Sequence, residues 1–468
     1  MRYVSTRGHA PVLDFEGVTL TGLASDGGLY LPEEYPAFGR DEIAAMRGMP
    51  YAQLAARVMA PFTAPCVSED DLLALCETAY GRFDHADVTP LTRIDERHHL
   101  LELFHGPTLA FKDVALQLLG LLFERFLKTQ ERPLTIIGAT SGDTGSAAIH
   151  AVAGRDNVEI FMLHPEGRVS EIQRRQMTTI DAPNVHNIAI GGSFDDAQRY
   201  VKRMFGDAAL TDRIAVGAVN SINWARLMAQ VVYYFHAALQ LGGPDRKVAF
   251  SVPTGNFGDV FAGYVAAQMG LPVERLIVAT NKNDILARAI RDGDYSVGES
   301  HATITPSMDI QVSSNFERLL FEANGRHAAA LTAQMQGFGK SGRLALDPGQ
   351  REGIAAMFAA ERATPEETLA ALRWAHETCG EVIDPHTAVG LHAARALADT
   401  IDPDVPIVTL ATAHPAKFPD AVEQAIEAKA DLPARVGDLF ALDERSETLP
   451  ADYDTVRDYI AANASGAR

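Results

Sequence analysis

The strongest constraint on this chain is an alternation of two periodicities. From about residue 96 to residue 412, short apolar runs alternate with segments of helical spacing. The runs LTIIGA (134–139), VEIFML (158–163), VHNIAI (185–190), KVAFSV (247–252), RLIVAT (275–280) and VPIVTLAT (405–412) read as buried strands. Helices are expected at 144–153, near 169–180, near 194–206, and at 222–241, 259–269, 315–338 and 351–376. In 222–241 the residues Trp224, Leu227, Met228, Val231, Phe235, Ala238 and Leu239 recur at the spacing of one helix face, so an amphipathic helix is expected. Strand and helix in turn predict an α/β protein with mainly parallel sheets, in which ligands collect at the carboxyl ends of the strands. Residues 1–95 break the pattern. They mix short extended pieces with helical spacing around 41–60 and 69–83, contain no lysine, and read as a covering domain.

Composition narrows the function classes. A chain of 468 residues exceeds one ordinary core and implies two or three domains. The formal net charge of −20 repels nucleic acid and anionic membranes, so an anionic ligand has to be held by a local site. Cys66, Cys76 and Cys379 form neither a metal spacing nor a paired framework, which fits a reducing compartment. No apolar leader opens the chain, and 114–127 is too short to span a bilayer. A cytoplasmic protein, monomer or homodimer, is expected.

Lysine occurs only at Lys112, Lys128, Lys202, Lys247, Lys282, Lys340, Lys417 and Lys429. Lys112 lies in HGPTLAFKD (105–113), between apolar neighbours. It either snorkels to water or is an amine in a partly dry pocket, where burial disfavours the ammonium and frees the nucleophile. Lys282 and Lys417 also fall in motif-rich stretches. GATSGDTGSA (138–147) leads from a strand into a helix start and offers free N–H groups and hydroxyls. It reads as a carboxylate or phosphate cradle or as a capped turn. TGNFGD (254–259) repeats the logic, its two glycines admitting a phosphate close to the backbone. Neither loop has the spacing of a P-loop or a dinucleotide fold. Two anion cradles and one dry lysine fit pyridoxal phosphate, which needs an amine for its aldehyde, a loop for its phosphate and a partner for its ring nitrogen. Thr412, at the end of the last strand, can be that partner. A neutral hydroxyl there favours elimination and replacement over transamination.

These motifs, together with STRG (5–8), DGGLYLPE (26–33), SINWARLMAQ (221–230), TNKND (280–284), SMDIQVSSNFERLL (307–320) and TAHPAKF (412–418), resemble the threonine synthase family over nearly the whole chain. These are pyridoxal-phosphate enzymes of fold type II, the tryptophan synthase β fold. The resemblance implies that Lys112 bonds the cofactor, that Gly255, Asn256, Phe257, Gly258 and Asp259 hold its phosphate, and that Thr412 faces its ring nitrogen. It puts Asp143 near the ring 3′-oxygen, where a carboxylate would repel a phenolate unless it is protonated or turned away. Ser141 and Thr144 become candidates for the substrate carboxylate, and Lys282, Ser314, Asn315 and Arg318 for the substrate phosphate. Asn223 and Arg226 either face the site or cap their helix, and Asp113 orients the lysine loop. No metal is implied. The implied layout is an N-terminal domain (1–95), a large cofactor domain (96–140 and 225–468) and a small domain (141–224). The implied reaction turns O-phospho-L-homoserine and water into L-threonine and phosphate. A same-fold phospholyase giving 2-oxobutyrate and a non-catalytic ligand-binding paralogue are the alternatives.

Overall fold

The structure, a computed structural model, describes residues 1–128 and 133–466. Two short strands, β1 (Tyr3–Ser5) and β2 (Tyr30–Pro32), pair antiparallel near the N-terminus. The N-terminal helices Tyr51–Thr63 and Glu69–Tyr80 follow and pack on each other. Next comes an antiparallel pair, β3 (Leu91–Arg93) and β4 (His98–Glu102). The strands β5 (Leu134–Ala139), β6 (Val158–Pro165), β7 (Val185–Ile190) and β8 (Ala215–Gly217) alternate with helices. So do β9 (Val248–Pro253), β10 (Val273–Thr280), β11 (Phe358–Arg362) and β12 (Ile407–Ala411), before a last short strand, β13 (Glu447–Leu449).

The strands form two larger sheets. One has the order β11-β10-β9-β12-β4-β3, parallel except at β3, and the other β13-β7-β6-β5-β8, parallel throughout. The α/β class with mainly parallel sheets is as the alternation implied. Strands β5, β6 and β7 are mostly apolar because helices cover both faces of a parallel sheet.

Four details differ from the sequence reading. The helix Trp224–Gln240 is not amphipathic in its surroundings. Every residue from 224 to 239 is buried, between the N-terminal helix Tyr51–Thr63 on one side and the helices Lys112–Leu127 and Gly258–Gln268 on others. The covering domain thus supplies the apolar contact that its polar-looking face lacks in a two-layer fold. The stretch 351–376 is largely helical but is interrupted by a strand. It divides into Pro348–Ala355, β11 and Pro365–Cys379, because FAAER, a good local helix former, gains a full parallel ladder against β10. The expected boundary at 140/141 cuts β5 from its own sheet, since the loop and the strand that presents it belong together. Finally, 225–468 does not all join the larger sheet. β13 pairs with the open edge of β7, and the helix Tyr453–Asn463 buries Val456 and Ile460 against Ile188 and Ile190.

Among the described residues no helix is long and apolar enough to cross a membrane, and no group of side chains could hold a metal ion.

Candidate functional site

Lys112 is the first residue of the helix Lys112–Leu127. The HGPTLAFKD loop was not expected to follow a strand, yet it leaves the carboxyl end of β4, because HHLLE (98–102) pairs parallel with β12. The loop then runs alongside the segment after β12. Phe111 N–H donates to Thr412 O (2.8 Å), His414 N–H donates to Leu109 O (3.0 Å), and Ala110 bridges Ala413. Leu109 takes a positive φ of 61°, unusual for a branched residue, in a fully buried place. Asp113 orients the loop as expected: its carboxylate accepts from Thr108 N–H (2.7 Å) and Thr108 Oγ1 (2.8 Å). Lys112 itself is 8% exposed. Burial lowers the affinity of its amine for a proton, and Lys417 and Arg226 nearby push the same way against the pull of Asp143.

Asp143 resolves the question raised by its charge. It is buried, and its Oδ2 lies 3.4 Å from Lys112 Nζ, while its Oδ1 lies 2.6 Å from Lys417 Nζ and accepts from Gln173 Nε2 (2.8 Å). Burial alone would raise this carboxyl, but the two lysines and the Gln173 bond hold it well below the ordinary carboxylate range. It is ionised, and a second lysine neutralises it. Lys417, 1% exposed, also donates to Thr108 O (2.8 Å). Sequence reasoning noticed Lys417 in its motif but gave it no role. The signal was its rarity, since so few lysines lie in this chain. Gly142 precedes Asp143 at φ 146°, where a side chain would collide with Gln173 at 2.5 Å, so glycine alone admits this approach. Thr140 Oγ1 accepts from Gly142 N–H and Gly145 N–H (both 2.9 Å) and fixes the loop. Ser141 is exposed at its tip and Thr144 is half-buried in the first helical turn, both on the same loop as Asp143.

The TGNFGD loop leaves β9 and enters the helix Gly258–Gln268. Among the described residues, the N–H groups of Asn256, Phe257 and Gly258 donate to no protein acceptor, which is the donor set a phosphate monoester requires. Gly255 has no room for a side chain, because a Cβ would meet Ser307 O at 2.7 Å. The side chains of this loop serve other ends than expected. Phe257, at φ 63°, is buried against Phe316 and Phe358, so only its backbone reaches the cradle. Asp259 turns away: its Oδ1 accepts from Tyr233 OH (2.5 Å) and Tyr234 OH (3.1 Å), and its Oδ2 is buried without a partner. Burial pushes this carboxyl up to about 6, against the lowering effect of the two tyrosines. Such a group is protonated in the folded state, and ionised in the unfolded chain, between pH 4 and 6. Its contribution to stability therefore declines as pH rises through that window and stays low above it. Asp259→Asn is expected to stabilise the protein relative to wild type, by on the order of 3 kcal/mol more at pH 8 than at pH 4. Denaturant titrations at the two pH values measure this.

The expected phosphate residues divide. Ser314 is half-buried with its hydroxyl 3.3 Å from Asn256 Oδ1, at the mouth of the loop. Asn315 is committed to holding the loop: its Nδ2 donates to Asn256 O (3.0 Å) and Ser221 O (3.3 Å), and its Oδ1 accepts from Arg318. Arg318 is engaged within the protein. It is fully buried, donating to Tyr30 O (2.7 and 3.1 Å), Ile222 O (2.7 Å) and Asn315, and it ties β2 to the start of the helix Trp224–Gln240. The motif position suggested a free guanidinium, but the N-terminal strand has consumed it. Lys282 is exposed past β10, where it lines a surface cavity of about 340 Å³ with Arg362 and Thr364. Arg226 is a second buried arginine. It is 4% exposed, has no carboxylate within salt-bridge distance among the described residues, and donates only to Val219 O (2.7 Å), its Nε lying without a partner. Burial lowers it to about 10, and its charge is felt at Lys112. Asn223 caps its helix through Ala225 N–H (3.0 Å) and donates to Thr19 O (2.8 Å). Thr412 is buried beside the lysine loop, and its N–H donates to Thr387 Oγ1 (3.2 Å).

The buried lysine, the donor-lined glycine loop and the strand-end threonine suit pyridoxal phosphate, and the free N–H groups fit its phosphate. Comparison with known proteins agrees. Three family models match: Threonine synthase N terminus at residues 2–80, Pyridoxal-phosphate dependent enzyme at 83–413, and Threonine synthase, C-terminal at 387–460. The threonine synthase of Pseudomonas aeruginosa is 52% identical over 466 residues, covering 99% of each chain. That of Saccharomyces cerevisiae is 41% identical, covering 98% of this chain and 97% of its own. The crystal structure of PLP-bound threonine synthase from Brucella melitensis superposes with a TM-score of 0.96 at 51% identity, covering 99% of this chain and 100% of its own. The yeast threonine synthase structure superposes with a TM-score of 0.94 at 39% identity, covering 99% and 98%. With matches that extend over all of its parts, the chain belongs to the threonine synthase family of pyridoxal-phosphate-dependent enzymes of fold type II.

Proposed function

We propose that the cleft converts O-phospho-L-homoserine and water to L-threonine and phosphate. The observation that carries this reading is the presence, near the dry amine of Lys112, of a buried guanidinium, Arg226, that has no counter-ion among the described residues. A buried cation without a partner is costly, and a phosphate group offsets that cost when it binds. One phosphate is expected in the TGNFGD cradle and a second, the substrate's, near Arg226 and Ser314. Lys282 is assigned to the rim, where it attracts the substrate rather than holding it. Ser141 and Thr144, with the free N–H groups at the start of the helix Asp143–Val152, are assigned to the substrate carboxylate.

Pyridoxal phosphate, bonded through its aldehyde, supplies the electron-withdrawing ring that stabilises negative charge developing on substrate carbon. Lys112 Nζ, freed from the cofactor by the substrate amine, would take the Cα proton and, only after giving that proton up to the cofactor, would be a base again for one Cβ proton, both carbons lying within reach of one flexible side chain. Its buried surroundings lower the amine's hold on a proton, which favours the first of these transfers. Loss of phosphate from Cγ is aided by Arg226, which meets charge developing on the leaving oxygen. Lys112 would return the Cβ proton to Cγ, water would add its hydroxyl at Cβ, and a proton would return to Cα, so that one water enters for the one phosphate that leaves. Thr412 orients the ring nitrogen without protonating it. Gln173, Gln176 and Asp143 join the five-stranded sheet's side of the cleft to the lysine loop, Gln176 Nε2 donating to Thr108 O (3.1 Å), and this closes the cleft against bulk water. The functional layout proposed is a covering domain to about residue 95, a large cofactor domain, and a small domain that moves as a lid.

The test is a product assay on the purified protein with pyridoxal phosphate and O-phospho-L-homoserine. Equal amounts of phosphate and threonine are expected. Phosphate accompanied by 2-oxobutyrate and ammonia would make the protein a phospholyase. No phosphate release from cofactor-loaded protein would overturn the substrate assignment.

A further inference from the structure

We propose that Lys417 is a positioning residue for Lys112: its ammonium is the standing counter-ion of Asp143, and it leaves the Lys112 amine free to capture the cofactor's aldehyde. This inference rests on the assignment of Lys112 as the cofactor's lysine.

Two lysines and one carboxylate meet in a dry space. Asp143 has one oxygen 2.6 Å from Lys417 Nζ and the other 3.4 Å from Lys112 Nζ, so the closer, stronger pairing belongs to Lys417. Lys417 is 1% exposed and is held in place by its own donation to Thr108 O, a carbonyl of the lysine loop that also accepts from Gln176. An isolated aspartate beside a lysine would draw a proton onto it and spoil the nucleophile. With Lys417 occupying the carboxylate, that pull is weakened, and the second positive charge disfavours an ammonium at Lys112. The arrangement also answers how an aspartate can lie where an anionic ring oxygen is expected, since the Asp143–Lys417 pair carries no net charge.

The charged and titratable groups facing these amines come from five elements. Lys112 is faced by Asp143 from the helix Asp143–Val152, by Arg226 from the helix Trp224–Gln240 and by Asp259 from the helix Gly258–Gln268. Lys417 is faced by Asp113 of the lysine helix, by Asp143 and His150 of the small-sheet helix, and by His414 of its own segment. Burial lowers both histidines to about 4, so they are neutral near pH 7. Asp143 is the one carboxylate within salt-bridge distance of either amine among the described residues.

Capture joins the Lys112 nitrogen lone pair to the aldehyde carbon. The carbonyl oxygen leaves as water with both amine hydrogens, so the step needs neither oxidant nor reductant. Its pH midpoint reads the proton affinity of Lys112. The full-length protein, freed of cofactor, is mixed with pyridoxal phosphate from pH 6 to 10, and the absorbance change that follows capture is timed. For Lys417→Met the midpoint is expected to rise by about one unit or more, with capture at pH 7.5 slowed on the order of tenfold. Lys417→Arg, which keeps the charge, is expected to stay close to wild type. Asp143→Asn combined with Lys417→Met removes both charges and is expected to return the midpoint toward wild type, because the pull that Lys417 offsets has gone. That double variant also covers the case in which the single variant fails to fold around an uncompensated Asp143. An unshifted midpoint in Lys417→Met, or a double variant shifted as far as the single one, overturns the proposal and leaves the role of Lys112 intact. Undiminished capture by Lys112→Ala overturns the assignment of Lys112 on which it rests.

Discussion

Lys112→Ala is expected to lose phosphate and threonine production together, with kcat/KM falling on the order of 10⁴-fold or more. Three functions vanish with one amine: the bond that anchors the cofactor, the base at Cα and Cβ, and the acid at Cγ. The variant is expected to keep its fold. Lys112 Nζ makes a single bond of 3.4 Å to Asp143, and that carboxylate keeps its closer partner Lys417 when Lys112 is gone. The loop geometry comes from Asp113, Thr108 and the backbone bonds to Thr412 and Leu109, none of which involves the Lys112 side chain. Product assay and thermal unfolding on the same sample separate the two effects. A fall in both product formation and Tm would mean that Lys112 is a structural cation. A variant that still releases phosphate would mean that another group does the proton transfer.

Arg318→Met is expected to show the opposite profile. Three acceptors, Tyr30 O, Ile222 O and Asn315 Oδ1, lose their donor in a place without water. At about 1–3 kcal/mol for each buried acceptor left unpaired, the loss is on the order of 3–6 kcal/mol, read as a clear fall in Tm. Activity of the surviving folded fraction is expected to change little. Arg226→Met, by contrast, is expected to lower Tm much less, one acceptor, Val219 O, being left unpaired against three, and to lower kcat/KM on the order of 10–100-fold, the worth of a charge-assisted contact to phosphate. Because both arginines stand in motif-rich segments of similar appearance, this pair of variants distinguishes a cation that binds from a cation that braces. Loss of activity at full stability in Arg318→Met would reverse the assignment made from burial.

The residues explain how far a reader of the sequence can go. Strands such as LTIIGA and VEIFML are legible because a parallel sheet covered on both faces demands continuous apolar runs. β4 is not, since HHLLE carries two histidines and a glutamate and becomes a strand through its ladder with β12. FAAER is hidden for the same reason, its composition speaking for helix and its position beside β10 deciding otherwise. Within the site, the backbone cradle at Asn256, Phe257 and Gly258 follows from glycine spacing alone. Which arginine is free does not follow, because that depends on where Tyr30 and Ile222, far apart in the chain, end up. The partner of Asp143 is equally non-local: Lys417 is 274 residues away along the chain and arrives by the antiparallel run of 412–414 against 109–111.

Two buried lysines border one carboxylate, so the central claim reduces to which of them bonds the cofactor. Borohydride reduction of the cofactor-loaded wild-type protein fixes the linkage, and peptide mass mapping then locates it. The expected result is a phosphopyridoxyl group on Lys112 and an unmodified Lys417. The modification on Lys417, or on both lysines equally, would contradict the account and move the chemistry to the other side of Asp143.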